Sequence, residues 1–422
     1  MNNTIKLAVA AALLAGASSA NAGIMIPAGD WTLDIGGIVN TYYTHTRTSG
    51  DFEGALNGAV LGGSITDDIN GNDSTSNITT GLLPNYLSVS GKTRQNDLDV
   101  GFTISINPGS STTASGKQSA QQENRQAFLT FGDKSWGSIK VGKDLGIYAS
   151  DAILNDMTLL GVGSGAGILA GNTTTLGRIG TGFMYADWKS QIAYSSPNWS
   201  GFSFTAGVTQ AWNAQAAAAN DTNLGTGVNG AFLSATNNSR GGSSPAFEGK
   251  ASYEWAGDFG GKVWASAMTQ KVDNLTFAGT DVGSDRATAW DIGATVNVAG
   301  FGLTGYYGQG DGTGTTIQLR DGFDSSGNAR DSDDWYVQGT YTIPGAGTKL
   351  GLSYGESTVE GNGAGDLGLG NEDYSNRMWT VGAYHPITKH LNLVAEYSDV
   401  KTEIANADGK SKTISLGAIL FF

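Results

Sequence analysis

The sequence predicts an all-β chain that closes as one sixteen-stranded antiparallel barrel. Three observations predict it. Hydrophobic residues recur with a period of two in about sixteen segments. The connections between these segments alternate between short and long. Beyond the first 22 residues there is no convincing 3.6-residue period and no apolar run of about 18 residues, the length of a spanning helix.

Composition narrows the class further. The 422 residues contain 64 Gly, 7 Pro and no Cys, with 10 Trp, 15 Tyr and 15 Phe, and charged residues make up only 15%. The aromatic content argues against disorder. Lack of Cys excludes a disulfide scaffold and any thiolate metal site. A formal charge of −14 argues against nucleic acid, whose phosphates require a basic face.

Residues 1–22 read as a cleaved secretory signal. Lys6 gives the basic start, Leu7 to Ala17 the apolar run, and Ala20-Asn21-Ala22 the small-residue cleavage site, so the expected mature chain is one domain over 23–422. Removal of Lys6 leaves 23 Lys and Arg against 38 Asp and Glu, a charge of −15.

The predicted strands run in order over 30–47, 82–92, 96–107, 122–132, 136–144, 187–195, 201–211, 247–256, 261–271, 287–298, 301–309, 334–342, 348–357, 376–385, 390–401 and 411–422. Each has an apolar face and a polar one. Leu98, Val100, Phe102, Ile104 and Ile106 alternate with Asp97, Asp99, Thr103, Ser105 and Asn107, and Ile414, Leu416, Ala418, Leu420 and Phe422 share the last apolar face. Seven short turns (93–95, 133–135, 196–200, 257–260, 299–300, 343–347 and 386–389) then alternate with eight long connections (48–81, 108–121, 145–186, 212–246, 272–286, 310–333, 358–375 and 402–410). A transmembrane barrel with short periplasmic turns and long extracellular loops has this asymmetry. A soluble β-sandwich also alternates, but it does not call for aromatics at strand ends. Here Trp31, Tyr43, Trp188, Trp199, Tyr253, Trp255, Tyr307, Trp335, Tyr341, Tyr354, Trp379 and Phe422 recur there, as interfacial girdles do.

Alternation assigns Asp34, Asn40, Ser88, Ser90, Lys92, Asp97, Asp99, Thr103, Lys140, Lys250 and Glu254 to the interior, which is therefore polar. The three histidines, His45, His385 and His390, do not suggest a catalytic centre: His45 falls near the outer end of the first strand, and the other two flank a short turn at the opposite rim.

Four stretches resemble the trimeric general porins of Gram-negative outer membranes. They are Asn124–Leu129 with Gly137–Lys143; Gly177–Gly180 with Ile192–Pro197 and Gly201–Phe204; Gly382–Tyr384 before Leu391; and the terminal Phe422 on an alternating strand. The chain departs from that family at Lys143, where Arg is usual, and in Leu154–Gly163, which lacks the usual Pro-Glu-Phe-Gly-Gly type of turn. The resemblance implies a water-filled channel for passive diffusion of small hydrophilic solutes and ions. It also implies a homotrimer among outer-membrane lipid and lipopolysaccharide, and a Phe422 signal read by the barrel-assembly machinery.

By the same resemblance the third long loop folds inward as a constriction. Its acids are Asp144, Asp151 and Asp156, and the facing basic wall is Lys92, Arg94, Arg125, Lys140 and Arg178. Arg125 sets two readings against each other. Strict alternation groups it with lipid-facing Ala127, Leu129 and Phe131, whereas a lipid-facing Arg costs about 2–4 kcal/mol at the bilayer midplane. The resemblance places it in the pore; a position near the membrane edge also removes the conflict.

The net charge, with Asp67, Asp68, Asp73, Asp324, Asp331, Asp333 and Asp334 expected in loops, predicts a weak cation preference that fades with salt. No cofactor is expected; weak Ca²⁺ or Mg²⁺ binding at these acidic loops is the alternative use of the same carboxylates. Two other functions share the barrel. A substrate-specific channel would use aromatic rings such as Tyr42, Tyr306, Tyr336 and Tyr384, and an adhesive or structural barrel would not conduct.

Overall fold

The computed structural model describes residues 23–50, 59–60, 63–64, 73–111, 122–164, 174–214, 243–316, 318–404 and 407–422. The expected signal segment 1–22 and the acids Asp67 and Asp68 lie outside the described residues.

The wall is a closed antiparallel barrel of sixteen strands. The first eight are β1 (Trp31–Gly50), β2 (Ser74–Thr79 and Tyr86–Gln95), β3 (Leu98–Pro108), β4 (Gln122–Glu123 and Ala127–Asp133), β5 (Gly137–Leu145), β6 (Trp188–Ser195), β7 (Phe202–Thr209) and β8 (Ala246–Trp255). The second eight are β9 (Phe259–Phe277), β10 (Thr280–Val298), β11 (Phe301–Asp311), β12 (Asp331–Thr342), β13 (Lys349–Glu360), β14 (Asp373–Pro386), β15 (Leu391–Ile404) and β16 (Ala407–Phe421). Each strand pairs with the next, and β16 closes on β1 from Ile38↔Phe421 to Gly50↔Gly409. Closure leaves no edge, so the wall's backbone groups are bonded within the chain, as a lipid environment requires. A short leading strand, Ile24–Ala28, pairs with Trp31–Ile35 directly below the end of β16.

The faces follow the alternation. Leu303 is 61% exposed on the outside, and Phe301, Leu352, Ile104 and Ile292 are exposed with it. In a water-soluble sheet such a band would be a liability; here it is the lipid face. The apolar core lies inside the barrel instead, where a loop packs on the wall.

Three local features differ from the alternation pattern. The segments expected as loops at 272–286 and 402–410 are largely strand. β9 and β10 continue to a two-residue turn at Ala278-Gly279, where both φ angles are positive (49° and 81°) as tight hairpins require. β15 and β16 likewise run to Ile404 and from Ala407. Polar residues on both faces hid these extensions, because beyond the bilayer neither face must be apolar. The second strand, expected from 82, is interrupted over 80–85, which turns inward and buries Leu82 and Leu83. Asn40 holds this detour: its Nδ2 donates to Leu83 O (2.9 Å) and its Oδ1 accepts from Gly81 N–H (2.8 Å).

Candidate functional site

The third long connection, 146–187, enters the barrel. It carries a one-turn helix α1 (Ser150–Asn155) and a 3₁₀ turn at Met157–Leu160, both lying against the inner wall. Two glutamates of the wall fix it. Glu248 on β8 accepts the N–H groups of Ile147 (2.8 Å) and Tyr148 (2.9 Å) with one oxygen and faces Lys189 and Thr209 with the other. Glu396 on β15 accepts the N–H groups of Val162 (2.8 Å) and Gly163 (3.0 Å), and its other oxygen accepts the Tyr384 hydroxyl (2.6 Å). Each carboxylate thus satisfies two buried N–H groups that would otherwise be left without an acceptor. Neither glutamate was singled out from sequence; the available signal was a carboxylate at inward parity, shared by Glu248 with Lys250 and Glu254.

The tyrosines at inward parity serve the same loop. Tyr42 donates to Leu160 O (2.6 Å) and Tyr336 to Ala152 O (2.9 Å); Tyr306 stacks on Tyr336 with ring centroids 5.5 Å apart. Tyr42, Tyr306, Tyr336 and Tyr384 are all buried, so these four rings form no exposed track for a solute.

The expected acidic residues are all buried, each with its own partners. Asp144 on β5 pairs with Lys140 and accepts Gln126 Nε2 (3.0 Å). Asp151 on α1 pairs with Lys262 (2.6 Å) and Lys250 (3.1 Å), and Lys262 also reaches Glu254 (3.1 Å). Asp156 accepts from the N–H and hydroxyl of Thr158 (2.9 and 2.7 Å) and from Arg178 N–H (3.2 Å).

The expected basic residues divide. Lys92 on β2 is exposed and pairs with no carboxylate among the described residues, and it shares one cross-strand row with Lys140 through Gly101 and Thr130. Lys140 also lies over the Phe128 ring at 4.9 Å. Arg94 is at the short-turn rim, bonded to Asp99 (2.8 Å) and Asp133 (3.0 Å). Arg178 is fully buried behind the loop, donating to Thr181 O (3.1 Å), Met378 O (3.0 Å) and Ser353 Oγ.

Arg125 points inward. It pairs with Glu123 (2.7 Å), lies over the Trp188 ring at 5.7 Å and donates to Thr174 Oγ1 (3.4 Å). The ladder is broken at 124–126, between the two pieces of β4, so the parity of Ala127, Leu129 and Phe131 does not carry back to it. The conflict between alternation and resemblance therefore has a local cause.

The loop lies against the sector from β8 round to β1. Across from it, the inward-facing Ser88, Ser90, Lys92, Thr130 and Lys140 of β2–β5 keep solvent exposure. The outer half is narrowed by a second inward connection, 312–330. Its Leu319 and Phe323 pack on Val272, Leu275 and Ala287, and its Thr316 O accepts Tyr185 N–H (2.9 Å). His45 bonds Ser76 and His385 bonds Thr348, at opposite rims, so the histidines do not meet.

A closed barrel with an apolar belt, a polar interior and an inward loop defines an outer-membrane channel. The chain belongs to the family described as Gram-negative porin, whose profile matches residues 8–405. Three solved structures have the same fold at low identity. The outer-membrane channel DcaP of Acinetobacter baumannii is 15% identical, with a TM-score of 0.62 over 94% of this chain and 99% of that one. The anion-selective porin from Comamonas acidovorans is also 15% identical, with a TM-score of 0.57 over 93% of this chain and all of that one. The trimer form of OmpT from Vibrio cholerae is 13% identical, with a TM-score of 0.52 over 93% and 99%. No curated protein sequence matches the chain. Family and fold point to a channel rather than an enzyme in the outer membrane.

Proposed function

We propose that the protein is a general diffusion channel, a homotrimer whose protomers each pass small hydrophilic solutes and ions. The observation that carries this reading is the division of the lumen. The inward loop covers the inward-facing rings Tyr42, Trp264, Tyr306, Tyr336 and Tyr384, while the β2–β5 wall keeps hydroxyl and ammonium groups exposed. Such a passage is wet and, among the described residues, carries no exposed ring track to select a sugar. The trimer rests on family membership and on the trimer form of the Vibrio neighbour. Export by cleavage after Ala22 and insertion read from Phe422 complete the reading.

The constriction in this reading lies between Asp151 and Asp156 of the inward loop and the Lys92, Arg125 and Lys140 wall, to which Asp144 belongs as the β5 partner of Lys140, with Arg94 acting at the rim and Arg178 as an internal brace. Its fixed charges are nearly balanced by local pairing. The acidic excess of the whole chain then tips the channel to a weak cation preference at low salt. Proteoliposome swelling tests the diffusion reading: uptake falls smoothly with sugar size and shows no saturation. Saturable uptake of one solute, with exclusion of others of the same size, contradicts it.

A further inference from the structure

We propose that Gln318 is a positioning residue of the channel: through Lys189 and Tyr185 it fixes both ends of the inward loop, so the connection 312–330 holds the aperture from the outer side. This role presupposes the channel reading above. β11 and β12 need no long connection, because their outer ends, Asp311 and Asp331, are register partners. β9 and β10, at the same rim, are joined by Ala278-Gly279 alone. The chain from 312 to 330 instead crosses inward to β6. Five strand spacings of about 4.8 Å separate β6 from β11 along the wall. The crossing is a packed element. Gly312–Thr316, Gln318, Leu319 and 321–325 are all buried, and a Cβ at Gly314 would lie 1.8 Å from Arg320 O.

The inner end of this element meets both ends of the inward loop. Thr316 O accepts the Tyr185 N–H (2.9 Å), and Gln318 Nε2 donates to Tyr185 O (3.4 Å), so both backbone groups of Tyr185 are held. Gln318 Oε1 accepts from the ammonium of Lys189 on β6. Lys189 is fully buried; it also donates to Glu248 and lies 5.8 Å from the centre of the Trp212 ring. Glu248 in turn holds the Ile147 and Tyr148 N–H groups at the loop's start. One set of bonds therefore runs from Gln318 through Lys189 and Glu248 to the first residues of the loop, and another runs directly to Tyr185 near its last.

The position calls for an amide. The Lys189 ammonium donates and cannot accept, while Tyr185 O accepts and cannot donate. The Gln318 amide serves both at once. A carboxylate in its place offers the acceptor alone, and an alkyl side chain offers neither.

Single-channel recording of the folded full chain tests this. Gln318→Leu should raise the frequency of sub-conductance transitions several-fold over wild type. Gln318→Glu, which keeps the acceptor for Lys189, should raise it less, and Ser326→Ala, at the exposed tip of the same connection, should leave it unchanged. Wild-type records from folded Gln318→Leu overturn the proposal. So do equal disturbances in the Leu and Glu variants, because packing and not the bond to Lys189 then matters. A wild type that passes no current defeats the channel reading itself, whereas a conducting wild type beside an unaltered Gln318→Leu defeats this role alone. If Gln318→Leu does not fold, hydrogen exchange of the wild type decides. The amides of Ile147, Tyr148, Tyr185 and Leu319 should open as one unit; fast exchange at Tyr185 and Leu319 with Ile147 and Tyr148 still protected overturns the proposal.

Discussion

Glu396 on β15 accepts the Val162 N–H at 2.8 Å, joining the far end of the inward loop to the wall 234 residues later in the chain. The same carboxylate holds Gly163 and the Tyr384 hydroxyl, and Glu248 repeats the arrangement at the loop's start. The inward loop is thus a clamped element, with a wall carboxylate at each end and Tyr42 and Tyr336 bonding the stretch between.

Glu396→Ala removes one clamp. It leaves two buried N–H donors without an acceptor, at a cost of about 1–3 kcal/mol each. The expected outcome is a barrel that still forms, with noisier open-channel current and a lower unfolding temperature than wild type. Unchanged current noise in a folded variant contradicts the clamp.

Lys250 and Lys262 together neutralise Asp151. Removing the partners of a buried carboxylate costs about 3–5 kcal/mol, partly relieved here because the lysines keep some solvent exposure. The double variant Lys250→Gln, Lys262→Gln should shift the reversal potential toward cations in a salt gradient, whereas Asp151→Asn should shift it toward anions. Shifts of the same sign in both would show that this cluster does not face the ion path.

Which face each residue takes can be read directly, because the chain has no cysteine. Lys92→Cys should react with a membrane-impermeant thiol reagent and lower the conductance. Leu352→Cys, on the lipid face, should resist the same reagent. Equal reactivity would reverse the assignment of faces.

Arg330 and Asp366 tie two outer connections, with Nε to Oδ2 at 2.7 Å and Nη2 to Oδ1 at 2.6 Å. Burial acts to raise the Asp366 carboxyl, but Arg330 and the N–H groups of Gly368 and Leu369 hold it below the ordinary value. A depressed folded-state value stabilises the fold above the unfolded value of about 3.9, and that contribution is lost as pH falls through the folded value. Wild type should therefore lose outer-loop protection in hydrogen exchange on acidification below about pH 4, and Asp366→Asn should show the loss already at neutral pH. A variant with wild-type protection at pH 7 contradicts the tie.

Most of the wall was legible in the sequence because lipid outside and water inside force period two on every membrane strand. The signal fails where that constraint ends. Beyond the bilayer, Val272 and Leu275 pack inward among polar neighbours and look like loop. At 124–126 a ladder break resets parity, so alternation alone points Arg125 the wrong way. The site was only half legible. Asp144, Asp151 and Asp156 are charged residues that mark themselves, and Asp144 has its partner Lys140 four residues away, but the partners of Asp151, Lys250 and Lys262, come from distant strands, and no local pattern links them to it. Glu248 and Glu396 were hidden for the same reason, since what they bind is backbone.

Planar-bilayer recording of the purified, folded protein under a salt gradient tests the central claim most directly. The account predicts stable channels that close in three equal steps, with a reversal potential of weak cation sign that shrinks as salt rises. Absence of conductance from protein shown to be folded and inserted in the bilayer would contradict it.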